Sequence, residues 1–105
     1  MLAGVTLPIR PAARTELDAA MAYYEEQRPG LGLGLLDEVE STIALAAENP
    51  VAGELRGPPS GAHGTRQFVV NRFPCLVYIA VVGERREVVA IAPAGRRPDY
   101  WHDRS

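Results

Sequence analysis

Apolar positions recur along this chain with two different periods, and the change from one to the other divides it. From residue 11 onward, Ala13, Leu17, Ala20, Met21 and Tyr24 follow at three- and four-residue intervals, with Glu16, Asp18, Glu25 and Glu26 opposite them, so the spacing predicts an amphipathic helix. Pro11 suits the first turn of that helix, and Arg28-Pro29-Gly30 ends it. The pattern resumes over residues 31–49, where Leu35, Leu36, Val39, Ile43, Ala46 and Ala47 lie against Asp37, Glu38, Glu40 and Glu48, and Asn49-Pro50 stops it. A short Pro-Gly link between two such helices predicts an antiparallel helical hairpin.

Elsewhere the pattern is that of strands. Residues 5–9 read as a short strand, β-branched at Val5, Thr6 and Ile9 and interrupted by Pro8. Residues 51–64, rich in Gly, Pro, Ser and Ala, read as an extended loop. Strands are predicted at 65–70, 75–82 and 87–92, and the connections at 71–74 and 83–86 have hairpin length, which makes the three strands antiparallel neighbours. The expected fold is α+β: an N-terminal strand, a helical hairpin, then a three-stranded antiparallel meander, together forming a four-stranded, mostly antiparallel sheet with the hairpin on one face. A polar, arginine-bearing tail, 93–105, follows.

One strand breaks the rule that a sheet covered on one side alternates apolar and polar residues. Cys75-Leu76-Val77-Tyr78-Ile79-Ala80-Val81-Val82 is apolar at both parities, so both of its faces need cover. The hairpin can cover only one. The tail with Tyr100 and Trp101 would cover the other, or a partner chain would.

Composition narrows the class. With 105 residues, 47% hydrophobic and 23% charged, the chain reads as one compact domain spanning 1–105 with enough core to do without disulfides or a structural metal. Its single cysteine, Cys75, lies in an apolar run and reads as a small buried hydrophobe in a reducing compartment. The longest uncharged apolar stretch, 74–82, is about half of the roughly 18 residues that a membrane span takes. Residues 1–7 carry no basic side chain and Pro8 interrupts them, so no targeting segment is read and a cytoplasmic location is expected.

The net charge of −2 conceals an asymmetry. Residues 1–50 hold three arginines against eight acids, while residues 51–105 hold eight arginines against five, net −5 and +3. The second half is therefore the one suited to phosphates or an acidic partner. Every basic residue is arginine; there is no lysine.

Several residues in this order point to a known group. Pro11-Ala12-Ala13 through Glu16-Leu17 opens the first helix, Ala22-Tyr23-Tyr24-Glu25 with Gln27 closes it, and Pro29-Gly30-Leu31-Gly32 leads to Leu36 and Glu38-Val39. Arg66, Phe68 and Val70 follow, then Phe73-Pro74, Val77 and Tyr78, then Arg96, Pro98 and Tyr100-Trp101. Together they make the sequence resemble the RelE/ParE superfamily of toxins from bacterial type II toxin–antitoxin pairs, across nearly its whole length. The resemblance implies a protein that halts growth unless neutralised by a cognate antitoxin, whose extended C-terminal segment wraps it. It further implies one of two actions: ParE-like members poison DNA gyrase, and RelE-like members cleave messenger RNA on the ribosome.

The ribonuclease alternative needs a cation for the phosphate, a base for the 2′-hydroxyl and an acid for the leaving oxygen. By resemblance, Arg66 and Arg96 would clamp phosphate and Tyr100 would serve as acid or base. A chain without lysine lacks a common proton carrier of such sites, because arginine stays protonated, and Pro93-Ala94-Gly95 stands where many relatives have a histidine shortly before the tail arginine. The ParE-like, gyrase-directed reading is therefore the expected one. Its contacts with target or antitoxin are expected at Arg66, Leu76, Tyr78, Arg96, Arg97, Tyr100 and Trp101. A third alternative is a toxin-derived binding module without activity, and the assembly is expected as a toxin–antitoxin hetero-oligomer or a homo-oligomer.

Duller readings stand beside these. Arg66 would pair with an acidic helix residue, Arg96, Arg97 and Arg104 would form a solvated tail, Trp101 would anchor the tail to the sheet, and Arg85-Arg86 would lie solvated in a turn. His63 and His102 have no neighbours at ligand spacing, Gly30, Gly32 and Gly34 make no phosphate loop, and no metal or cofactor is expected.

Overall fold

The computed structural model describes residues 7–49, 52–56, 65–82 and 85–93. Helix α1 spans Pro11–Gln27 and α2 spans Leu31–Glu48. Strands β1 (Glu54–Arg56), β2 (Thr65–Val69), β3 (Cys75–Val82) and β4 (Arg85–Pro93) form one antiparallel sheet in the order β1-β2-β3-β4.

The helices begin and end where the punctuation residues put them. Arg10 is extended and Pro11 occupies the first helical position, where its missing N–H removes no bond. At the hairpin tip Glu25 has a role that its place on the polar face did not reveal. Its two carboxylate oxygens accept the N–H groups of Gly30 and Gly32, at 2.9 and 3.0 Å, so an acid from α1 caps the N-terminus of α2 and meets its positive dipole end. The approach is close enough to require glycine: a Cβ on Gly32 would stand 2.7 Å from the carbonyl oxygen of Met21.

At the other end of α2 the expectation for Arg86 is overturned. Rather than lying solvated in a turn, Arg86 is part of β4, and its guanidinium donates to the carbonyls of Ala46 and Ala47, both at 2.9 Å. Both carbonyls lie in the last turn of α2, that of Ala46 also accepting the Asn49 N–H at 3.2 Å, and a cation there meets the negative dipole end. Arg72 likewise reaches back to α2, 3.2 Å from Glu38, with its guanidinium over the Phe73 ring. Part of the charge asymmetry between the two halves is thus satisfied inside the molecule.

Among the described residues the sheet has four strands, and its fourth is β1, inside the segment read as a loop. The N-terminal segment contributes a parallel bridge between Ile9 and Val88 instead: the Val88 N–H donates to Pro8 O at 2.8 Å, and the Arg10 N–H to Val88 O at 3.0 Å. Pro8 limits this contact, since it supplies only an acceptor. Residues 5 and 6 lie outside the described residues.

Both faces of β3 are buried, as its two-sided apolar pattern requires. Cys75, Val77 and Ile79 join Val88 and Ile91 of β4 and Ala13, Leu17, Leu35, Val39, Ile43 and Ala46 of the helices. On the opposite face Tyr78, Ala80, Val89 and Ala90 form a second cluster that includes no helical residue, with Leu76 packed against it. Consecutive residues Val89 and Ala90 share that face because of a bulge. Tyr78 pairs with Ala90 and Ile79 with Val88, leaving Val89 as the extra residue, which shifts the alternation so that Val88 and Ile91 both meet the helices.

Candidate functional site

The register of β2 decides where Arg66 stands. Arg66 lies opposite Leu55 on β1 and Ile79 on β3, and Ile79 faces the helices. Phe68, two residues on and opposite Val77, packs against the same helix-side core, so Arg66 emerges on that side at the margin of the sheet. Its Nη1 donates to the carbonyl of Gly53 at 3.1 Å. Gly53 itself is held in the left-handed region at φ 83°, and a Cβ there would stand 2.8 Å from the Phe68 ring and 3.0 Å from the Gln67 carbonyl oxygen. The turn into β1 therefore lies directly on the Phe68 ring.

Leu76 and Tyr78 belong to the other face. Tyr78, opposite Gln67, is buried, whereas Leu76, opposite Val69, is half-buried; Val69 is 71% exposed beside it. The structure thus separates Arg66 from Leu76 and Tyr78 by the thickness of the sheet. Arg96, Arg97, Tyr100 and Trp101 lie outside the described residues, as do His63, His102 and Arg104.

An open groove of about 530 Å³ runs along the helix side between α2 and the β1–β2 margin, lined by Thr42, Leu45, Phe68 and Asn71 among others, with Glu38 and Glu54 the charged side chains among its described residues. Glu38 is the partner of Arg72. The residue pattern alone did not reveal Gly53 or Leu55 as neighbours of Arg66. The local signal there is the polar-apolar-polar run Glu54-Leu55-Arg56, three residues long, too short for a period to be read.

Cys75 is buried on β3, and burial chiefly pushes its thiol up to about 11. At neutral pH it is a protonated, inert group, in keeping with its reading as a small hydrophobe. Among the described residues no three His, Cys, Asp or Glu side chains gather as a metal site, and no helix is long and apolar enough to cross a membrane.

An α+β fold of a helical hairpin on a four-stranded antiparallel sheet is also found among solved structures. The chain is similar to one described as the chromosomal ParDE TA system from P. aeruginosa, with a TM-score of 0.70 and 19% identity, over 86% of this chain and 96% of that one. No family model matches the chain, and no curated protein does.

Proposed function

We propose that this protein is the toxin component of a bacterial type II toxin–antitoxin pair, acting in the cytoplasm, arresting growth by poisoning DNA gyrase and neutralised by a cognate antitoxin. The observation that carries this reading is the likeness in fold to a ParDE chain over nearly the whole of both chains. In this reading Arg66, Leu76, Tyr78, Arg96, Arg97, Tyr100 and Trp101 contact the antitoxin or the target. Because Arg66 and Leu76 are on opposite faces, a partner touching both must pass around the margin of the sheet. That requirement favours an extended, wrapping segment over a compact one.

The absence of lysine weighs against ribosome-dependent cleavage of messenger RNA by Arg66, Arg96 and Tyr100, because arginine clamps charge but does not exchange protons. The deciding experiment is induced expression without antitoxin, following thymidine and methionine incorporation over the first minutes. Early loss of thymidine incorporation is expected. Early loss of methionine incorporation would replace gyrase with the ribosome, and loss of neither would leave an inactive binding module.

A further inference from the structure

We propose that residues 94–105 of this chain turn back over the outer face of the sheet and that Trp101 packs on Tyr78 in the free protein. The starting point is a burial that the described residues do not account for. Tyr78, a large side chain, is 2% exposed, and Ala80, Val89 and Ala90 beside it are buried as completely, yet no helical residue belongs to their cluster. Both helices pack on the opposite face, with Val77, Ile79, Val88 and Ile91. These exposures are those of the single chain, so the groups that keep water from this face belong to the chain itself.

Exposure falls across the face from β2 to β4. Val69 on β2 is exposed, Leu76 opposite it on β3 is half-buried, and Ala92, the partner of Leu76 on β4, is buried although it stands one residue from the end of its strand. The cover therefore lies toward β4, where residues 94–105 leave the sheet after Pro93. Residues 57–64, Gly-Pro-Pro-Ser-Gly-Ala-His-Gly, contain no large apolar side chain and join β2 at Thr65, opposite Ala80 and away from Ala92. Residues 1–6 lead into Leu7 and Ile9, which both pack against the helix-side core. The tail combines the right point of departure with two large aromatic side chains, Tyr100 and Trp101. From Pro93 to Trp101 extended chain reaches up to about 26 Å, ample to return to Ala90, three residues back along β4. Ala80, Ala90 and Ala92 carry only methyl groups, so they leave a depression beside the Tyr78 ring that an indole fills. The toxin reading enters only through the consequence: Tyr78 becomes a contact for the antitoxin once Trp101 has been lifted from it.

Trp101 is the only tryptophan in the chain, so its fluorescence reports the tail alone. In the purified full chain its emission should be blue-shifted from that of the urea-unfolded chain, and acrylamide should quench it several-fold less efficiently. Nuclear Overhauser contacts should join the indole to the Tyr78 ring and to the methyl groups of Ala90 and Ala92. Ala90→Glu, which puts a charge into the depression, should return emission and quenching toward their unfolded values, whereas Val69→Glu, on the same face but already exposed, should change neither. The wild-type contacts decide the matter even where Ala90→Glu does not fold. An indole as accessible in the native chain as in urea overturns the proposal. So does one whose contacts lie on the helix side, at Phe68 or Leu45, or a folded Ala90→Glu variant that keeps Trp101 shielded. Shielding confined to concentrations at which the chain is dimeric also overturns it and gives the face to a second copy. None of these readouts involves growth arrest, so the proposal stands or falls separately from the toxin reading.

Discussion

At the β4 margin of the sheet Val88 exchanges two backbone bonds with the segment at 8–10 and Ile91 donates to Glu16 of α1 at 3.0 Å, whereas at the β1 margin a three-residue strand leaves Leu55 60% exposed. The nine-residue β4 would otherwise present a long apolar row of unpaired groups, the kind of edge that recruits other strands. The chain closes it twice, once on each side of the Val89 bulge. β1 needs no such closure, because a strand this short offers little to pair with. Stability should therefore be concentrated toward β4 and α1, and β1 should contribute little to it.

That division can be broken by substitution. The largest effect is expected from Leu17→Ala, in α1 beneath the sheet at 1% exposure, which should cost about 2–5 kcal/mol in urea unfolding through the cavity it leaves. Glu16→Ala should cost about 1–3 kcal/mol by leaving the Ile91 amide without its acceptor, and hydrogen exchange at Ile91 should accelerate, while Glu16→Gln keeps the bond. An unchanged exchange rate would mean that the β4 margin is closed by something other than this carboxylate.

A smaller effect should follow pH. The Cys75 thiol is raised in the folded state from 9.0 to about 11, chiefly by burial, so the stability it contributes is complete below about 9 and is lost as pH rises through about 11. Cys75→Ala should flatten that alkaline limb, and in the native wild type the thiol should resist labelling at pH 8. The smallest effect belongs to the β1 margin, where Leu55→Ala should stay within about 0.5 kcal/mol of wild type. A Leu55 cost comparable to that of Leu17 would erase the contrast between the two margins.

The two helices and three of the strands were legible because their signals are local. Ala13 and Leu17 repeat on a helical period, Pro11 and Pro29-Gly30 punctuate it, and Arg72-Phe73-Pro74 makes the turn before β3. The candidate site was legible only as a set of names. Arg66 and Tyr78 could be quoted together, yet nothing near either residue says that one faces the helices and the other does not. That depends on pairing register, and a shift of one residue exchanges the faces.

By itself the sequence determined the helical hairpin, the meander and the need of β3 for cover on both sides, since periodicity and Pro-Gly punctuation act within a few residues. Only the tertiary structure decided that β1 rather than the N-terminal segment is the fourth strand, that Val89 bulges, that Arg86 caps α2 across 40 positions of sequence, and that Arg66 rests on Gly53. Each of these joins groups far apart in the chain, and their free energy exists only once packing has brought the partners into register.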